Sequence, residues 1–280
     1  MNGLLEFTLL IAAGSFLAGL LGSLTGLGGG VIIVPLLTLV FHVDIRYAIG
    51  ASLVSVIATS SGAAAAYLKE GFSNIRVGMF LEVATTVGAL CGAYLATRIP
   101  TAAIAIIFGL VLLYSASDSA KHDTLVPIQQ RSDPLAARLR LDGTYPTRDA
   151  GLQKYHVRRV PLGFGLMYVA GTLSGLLGIG SGAVKVLAMD RAMSIPFKVS
   201  TTTSNFMIGV TAAASAGIYL HRGYIDPGLA MPVMLGVLGG ALLGARILPE
   251  AEVRALRVLF SVAIAAVAIQ MIFKGLRGNL

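Results

Sequence analysis

Long uncharged stretches, separated by short polar ones, run along most of the chain. No charged residue occurs in residues 7–41, and uncharged runs also fill the stretches between residues 46 and 69 and between residues 198 and 221. Each run reaches the roughly 20 residues that a helix needs to cross about 30 Å of hydrocarbon. The pattern predicts about ten helical segments, at residues 4–24, 31–41, 46–68, 76–98, 101–117, 160–177, 183–193, 198–221, 227–247 and 251–274.

The first uncharged run is too long for one helix. A straight helix over residues 7–41 would be about 50 Å long, which exceeds the thickness of the hydrocarbon core. Glycine permits a turn inside a helix, and a cluster of glycines preceded by Thr25 lies where the break is needed. These glycines are Gly26, Gly28, Gly29 and Gly30. We therefore predict a pair of helices broken by glycine.

The chain contains an internal repeat. A shift of 152 residues aligns residues 18–93 with the second half without a gap, and seven glycine pairs coincide where random overlap would give about two. The pairs are Gly19/Gly171, Gly26/Gly178, Gly28/Gly180, Gly30/Gly182, Gly71/Gly223, Gly88/Gly240 and Gly92/Gly244. Such duplication is typical of secondary transporters. We divide the chain into a first repeat at 1–117, a connection at 118–158 and a second repeat at 159–280.

The basic residues favour inverted repeats. If each half crosses the membrane an odd number of times and the connection is cytoplasmic, the inner ends hold 15 Lys and Arg residues and the outer ends five. Parallel halves would give 13 and seven. A larger basic excess on one side agrees better with the positive-inside rule. Within the connection, Asp142-Gly143 and the alternating "YHVRRV" suggest a small β-hairpin. We interpret the connection as a solvated link, with regulation or partner binding as the alternative.

Composition supports a membrane protein and excludes several functions. The chain is 56% hydrophobic and 12% charged, with a mean hydropathy of +0.83. The net charge of +8 does not form a basic patch with interleaved aromatic residues, so we expect no nucleic-acid partner. The four histidines share no metal-ligand spacing, and neither a nucleotide-binding motif nor a catalytic set is present. We expect no enzyme activity, no metal and no cofactor.

The glycine breaks are the first candidate site. Non-helical backbone at membrane depth is tolerated only where protein or a water-filled cavity surrounds it. The amino-terminal ends of half-helices at such breaks direct free N–H groups at anions. We therefore assign substrate binding to Gly28, Gly29 and Gly30 in the first half and to Gly180, Ser181 and Gly182 in the second, with Thr25 as a weaker candidate. The alternative is that small residues simply let helices pack closely.

Lys185 is the strongest single candidate. It follows Gly182 by one turn inside an apolar run, and its repeat equivalent is Ile33. An ionisable residue within the membrane is costly, so we expect Lys185 to pair with the anion. The alternative is that its side chain extends to the interface near Asp190 and Arg191.

Two further groups of polar residues lie in predicted membrane helices. The run "STTTSN" contains Ser204 and Asn205, whose hydroxyl and amide groups can coordinate an oxyanion. Capping or interhelical hydrogen bonding is the alternative for this run. Glu82 is either a proton-coupling carboxylate or an interfacial partner of Arg76, and the sequence favours the second role.

The motifs resemble those of the TauE/SafE family of sulfite and organosulfonate exporters. The resemblance rests on "GSLTGLGGGVIIVPLL" in the first half and on "GTLSGLLGIGSGAVKVLAMD" followed by "PFKVSTTTSNFMIGVTAAASAG" in the second. It covers nearly the whole chain outside residues 118–158 and implies a multi-pass transporter of the plasma (inner) membrane. The second motif departs from the first at Ser181, Lys185 and Leu187.

These observations together predict an all-α membrane transporter with two inverted repeats. We expect it to export a small anion by alternating access, with sulfite or an organosulfonate implied by the resemblance. An uncoupled anion channel and a carboxylate transporter are the alternatives. A membrane-embedded enzyme or sensor is disfavoured because no catalytic constellation is present. The lipid bilayer is the expected surrounding, and a homodimer remains open.

Overall fold

The computed structural model describes residues 2–25, 30–69, 73–119, 133–147, 151–247 and 253–277. The first half contains α1 (Asn2–Thr25), α2 (Gly30–Pro35) continued by a π-helical turn (Leu36–Val40), α3 (Ile45–Lys69), α4 (Ile75–Ala96) and α5 (Thr101–Ser119). The connection contains α6 (Pro134–Arg138), β1 (Gly143–Thr147) and β2 (Gly151–Tyr155). The second half contains α7 (Val160–Leu177), α8 (Gly182–Leu187) continued by a π-helical turn (Ala188–Ala192), α9 (Phe197–His221), α10 (Pro227–Ile247) and α11 (Val253–Arg277).

The helices have the composition of membrane spans. Three stretches of fully described residues are long and apolar enough to cross a bilayer, namely Ile75–Ala96, Val160–Leu177 and Pro227–Gly244. Four shorter apolar helical stretches accompany them: Glu6–Leu21, Gly30–Val40, Ile45–Ser61 and Thr101–Tyr114. The structure is therefore mostly helical and contains several apolar helices, as expected for a multi-pass membrane protein.

Glycines bring α4 and α7 into close contact. A Cβ atom at Gly88 would collide with the backbone of Tyr168, and one at Gly92 would collide with the backbone of Thr172. The helix α7 also contributes a glycine to this contact, because a Cβ atom at Gly175 would collide with the backbone of Ala89 in α4. The residue numbers rise together along both helices, so α4 and α7 run parallel. Small residues at such contacts let the backbones of membrane helices approach each other.

The helices α1 and α10 form an equivalent contact. A Cβ atom at Gly236 would collide with the backbone of Ala12, and one at Gly240 would collide with the backbone of Phe16. These helices also run parallel because both sets of residue numbers increase together. The shift of 152 residues relates α1 to α7 and α4 to α10, so each contact is the repeat equivalent of the other.

The last helix of each half packs against its own repeat equivalent. Gly109 of α5 contacts Ala268 and Ile272 of α11, whereas Gly275 at the end of α11 contacts Ala102 near the start of α5. The residue numbers of the two helices therefore run in opposite directions. Thus α5 and α11 are antiparallel.

The connection contains an antiparallel hairpin, but the strands differ in position from the sequence expectation. Gly143 pairs with Tyr155 and Thr147 pairs with Gly151, so Asp142 precedes the first strand and most of "YHVRRV" follows the second. The turn between the strands therefore lies between Thr147 and Gly151 and does not contain Asp142. The Asp142 carboxylate instead lies at the open end of the hairpin. It accepts a hydrogen bond from the backbone N–H of Val157 at 2.8 Å, which ties the two ends of the hairpin together.

The hairpin packs against the start of α4. The Asn74 side-chain amide donates hydrogen bonds to the Tyr155 hydroxyl at 2.7 Å and to the Leu141 carbonyl at 2.9 Å. The side-chain oxygen of Asn74, Oδ1, also caps α4 by accepting a hydrogen bond from the backbone N–H of Val77. Burial raises the pKa of Tyr155 to about 12, so its hydroxyl keeps its proton in this contact. This part of the connection is therefore more than a solvated link.

Candidate functional site

The glycine-rich segment of the second half lies between two helices. α7 ends at Leu177 and α8 begins at Gly182. Between them, Gly178 and Gly180 have φ values of +67° and +70°, and Ser181 has a φ of 43°. Glycine adopts this left-handed conformation without steric cost, whereas Ser181 does so at a cost.

The glycine-rich segment of the first half is described only at its edges. α1 ends at Thr25 and α2 begins at Gly30. Gly28 and Gly29 lie outside the described residues, as does the Thr25 side chain. These three predicted contributions to the site therefore stay predictions.

The start of α2 lies beside the glycine-rich segment of the second half. The Ser52 hydroxyl of α3 donates a hydrogen bond to the Gly178 carbonyl at 2.7 Å. A Cβ atom at Gly30 would lie 2.9 Å from the Ser52 hydroxyl oxygen and 3.2 Å from the Gly178 carbonyl oxygen. Ser52 therefore joins segments from both halves. The shift of 152 residues also makes Ser52 the repeat equivalent of Ser204.

The polar residues at the start of α9 have different surroundings. Ser204 is buried and its hydroxyl donates a hydrogen bond to the Gly182 carbonyl at 3.3 Å. Asn205 is half-buried and makes no side-chain hydrogen bond with other described residues. The Ser181 hydroxyl is buried and likewise has no partner within the described part of the chain. Thus Ser204 lies against α8, while Asn205 joins no polar cluster of the described residues.

Lys185 of α8 is completely buried. Its ammonium group donates a hydrogen bond to the Thr211 hydroxyl of α9 at 2.6 Å. The side chain therefore does not extend to the interface, which was the alternative to a functional role. A buried ammonium group is expensive unless acceptors and a counter-charge surround it.

The counter-charge is Glu82 of α4. The Thr211 hydroxyl lies 2.7 Å from Oε1 of Glu82, and the Thr86 hydroxyl donates to the same oxygen at 3.2 Å. Glu82 is only 8% exposed, and its Oε2 atom has no hydrogen-bond partner among the described residues. We call Lys185, Thr211 and Glu82 the buried triad.

The sequence favoured Arg76 as the partner of Glu82, and this prediction was wrong. No ion pair joins Glu82 to the exposed Arg76 within the described residues. The reason is the packing of α4 against α9. The backbone N–H of Asn74 donates to the Thr203 hydroxyl at 3.0 Å, and eight residues later Glu82 meets Thr211. The parallel alignment of the two helices therefore places a hydroxyl of α9 over the carboxylate.

A comparison with known families agrees with a multi-pass membrane protein. The model of the family described as "Sulfite exporter TauE/SafE" matches residues 11–271. The chain belongs to the TauE/SafE family. The family is one of membrane transporters, which is consistent with a non-enzymatic function. No solved structure gives a significant match to the chain.

Relatives of this TauE/SafE chain are also named as transporters. The probable membrane transporter protein YunE of Bacillus subtilis is 26% identical over 97% of this chain and 99% of its own length. The probable membrane transporter protein YdhB of the same organism is 29% identical over 85% and 89%. The probable membrane transporter protein MJ0441 of Methanocaldococcus jannaschii is 28% identical over 92% of both chains.

Within the buried triad of this TauE/SafE chain, Thr211 is the residue that the sequence did not single out. It lies in the apolar middle of α9, where nothing in the local pattern indicates which face it occupies. The repeat provides the missed signal, because the shift of 152 residues aligns Thr211 with Thr59.

Within the described residues, no three His, Cys, Asp or Glu side chains lie together in a way that could hold a metal ion.

Proposed function

We propose that this protein is a secondary transporter of the plasma membrane that exports a small anion by alternating access. The family supplies the substrate class, sulfite or an organosulfonate. The observation that carries the anionic specificity is the completely buried ammonium group of Lys185. Such a charge within a membrane protein indicates a substrate or ion pathway.

The two halves are inverted repeats in this proposal. Equivalent helices run parallel when two repeats are related by an axis along the membrane normal, and antiparallel when the axis lies in the membrane plane. The antiparallel contact between the equivalent helices α5 and α11 supports the second arrangement. Inverted halves can exchange conformations, which opens one central site to each side of the membrane in turn.

The substrate site lies between the two glycine-rich segments. The proximity of Gly30 to Gly178 across Ser52 supports this placement. Backbone N–H groups at the starts of α2 and α8 provide donors for oxyanion oxygens, together with the hydroxyl of Ser204. The remaining contacts that we assign to the substrate are those of Thr25, Gly28, Gly29, Gly180, Ser181, Gly182 and Asn205.

Exchange of labelled anions in reconstituted vesicles tests the proposal. We expect vesicles with the wild-type protein to exchange sulfite and sulfoacetate faster than acetate. Lys185→Ala should lower the exchange rate at least tenfold because the anion loses its counter-charge, a loss of about 1.4 kcal/mol or more. Lys154→Ala is the matched control, since Lys154 lies on the exposed surface of the hairpin.

Three outcomes would contradict parts of the proposal. Unchanged exchange in Lys185→Ala would remove this residue from the site. Flux that follows the electrical gradient alone, without exchange of labelled for unlabelled anion, would indicate a channel. Preferred exchange of acetate would instead indicate a carboxylate transporter.

A further inference from the structure

The charges of the buried triad balance each other. The ammonium group of Lys185 and the carboxylate of Glu82 are connected through the single hydroxyl of Thr211, and no direct ion pair joins them. An anion that approaches Lys185 therefore also approaches Glu82. Because like charges within a low-dielectric site repel each other strongly, substrate and ionised Glu82 compete for the same cation.

The positions that are repeat-equivalent to the charged pair carry no charge. The positions equivalent to Lys185 and Glu82 are Ile33 and Met234, while the position equivalent to Thr211 keeps its hydroxyl as Thr59. The repeat-equivalent pair of positions, Ile33 in the first half and Met234 in the second, thus has apolar side chains in place of both charges. Since a buried ion pair can often be replaced by apolar residues without loss of stability, its presence at only one of the two equivalent pairs of positions points to a function.

Glu82 has a free position for a proton. Its Oε1 atom receives the hydroxyls of Thr86 and Thr211, whereas Oε2 is buried and has no partner within the described residues. A buried carboxylate oxygen without a donor is unfavourable, and a proton bound there removes the charge.

Thr211 can adjust to both charge states of Glu82. Its hydroxyl has one hydrogen but two acceptors within reach, Oε1 of Glu82 at 2.7 Å and the Met207 carbonyl at 2.9 Å. When Glu82 is ionised, the hydroxyl donates to the carboxylate. When Glu82 is protonated, the hydroxyl can donate to Met207 and still accept from Lys185.

No second charge in the described residues competes with Lys185 at this point. α7 brings Tyr168 to α4, but Tyr168 lies beside Cys91, more than two helical turns beyond Glu82. The other ionisable groups of the packed elements lie at helix ends, in the π-helical turn after α8 or on the connection. They are Arg76 on α4, Arg159 at the start of α7, Asp190 and Arg191 after α8, Lys198, Tyr219 and His221 on α9, and Asp133, Arg138, Arg140, Asp142, Tyr145, Lys154, Tyr155, His156 and Arg158 on the connection. Lys185 is the charged group that acts on Glu82.

We infer that Glu82 is the proton-binding site of the transporter and that its protonation makes Lys185 available to the substrate anion. A proton taken from solution binds Oε2, the anion then replaces the carboxylate as counter-charge, and both leave together on the other side, so that export occurs when the combined gradients of anion and proton point outward. The inference rests on the proposed function and deepens it. One proton accompanies each monovalent anion, so the transport step carries no net charge.

Accumulation of labelled methanesulfonate in vesicles tests this coupling. Methanesulfonate is the anion of a strong acid, so any pH dependence belongs to the protein. With the outside more acidic by one pH unit, the wild-type protein should accumulate the anion about tenfold, the ratio set by one proton per anion. Glu82→Gln should abolish the accumulation, because the neutral amide cannot take up a proton and therefore couples no proton to the anion.

A matched variant and a wild-type measurement complete the test. Glu6→Gln alters an exposed carboxylate of α1 and should accumulate methanesulfonate like the wild type. A pH-sensitive dye inside wild-type vesicles should report acidification when methanesulfonate enters. This second readout does not depend on the folding of any variant.

The outcomes separate this inference from the proposed function. Accumulation by Glu82→Gln at the wild-type level would overturn the inference, as would net entry of methanesulfonate into wild-type vesicles without internal acidification, and both would leave anion transport intact. Wild-type vesicles that exchange no methanesulfonate would contradict sulfonate transport itself and the coupling with it.

Discussion

Lys185 and Glu82 depend on each other, which gives the buried triad a testable energetic signature. Removal of one partner leaves the other charge buried without compensation, whereas removal of both leaves only a change in packing. The chain itself provides the replacement, because the shift of 152 residues makes Ile33 the equivalent of Lys185 and Met234 the equivalent of Glu82. Stability and transport should therefore respond differently to single and double substitution.

We expect Glu82→Met alone to lower the free energy of unfolding by about 3 kcal/mol, because Lys185 then remains as an unpaired buried charge. The double variant Lys185→Ile with Glu82→Met should recover most of this loss. Thermal unfolding of the purified proteins in detergent measures both effects. The double variant should nevertheless exchange no anion, since the site then has no cation.

The matched control for this prediction is Glu6→Met, which should leave the unfolding temperature unchanged because Glu6 is exposed. A double variant less stable than Glu82→Met would show that the two charges are not energetically coupled. A double variant that transports at the wild-type rate would remove the triad from the mechanism.

The sequence predicted individual site residues unequally well, for a physical reason. Lys185 was recognisable because a charge in an apolar run is costly wherever the chain folds. Glu82 was recognisable as an ionisable residue, but its neighbour in the structure belongs to α9, and spacing along α4 suggested Arg76 instead. Thr211 is a hydroxyl in a membrane helix and costs little, so only the contact between two helices reveals its role.

At the scale of whole elements, the sequence prediction was close to the structure. The helix bounds differ from the predicted ones by a few residues, because the bilayer thickness fixes the length of an apolar helix and charges mark its ends. The hairpin was harder to place. Asp142-Gly143 is a turn signal by its residue types, but the Asp142 carboxylate instead accepts the N–H of Val157, a contact that only the folded connection creates.

The close contact between α4 and α7 depends on glycine, which gives a testable prediction about stability. We expect Gly88→Leu to prevent close packing, because even a Cβ atom at this position collides with the backbone of Tyr168. Overpacking of a tight contact costs about 1–3 kcal/mol or more, since the backbones must separate. Size-exclusion chromatography and thermal unfolding in detergent measure the loss of monodisperse, folded protein.

Gly217→Leu is the matched control for Gly88→Leu. It is also a helix glycine, but a Cβ atom there meets nothing within 4 Å. This variant should elute and unfold like the wild type. Equal behaviour of the two variants would mean that the α4–α7 contact contributes little to the fold.

At the scale of the whole molecule, a duplicated scaffold carries a single charged site. The contact of α4 with α7 has its equivalent in the contact of α10 with α1, and the same glycine positions support both. The charged pair occurs only once, with Lys185 from the second half and Glu82 from the first. In the proposed function, inverted repeats would let both halves move equivalently around one site, so the relative direction of the two repeats is the property to test.

Cysteine labelling at two repeat-equivalent positions tests this direction. Arg76 and Gly228 are related by the shift of 152 residues, and both are exposed near the starts of α4 and α10. In a background with Cys91→Ser, inverted repeats place Arg76→Cys on the cytoplasmic side and Gly228→Cys on the outer side. A membrane-impermeant maleimide should therefore label Gly228→Cys in intact cells and Arg76→Cys only after permeabilisation. Parallel repeats would place both cysteines on one side, so labelling of both from the same side would exclude the inverted architecture and the alternating exchange that depends on it.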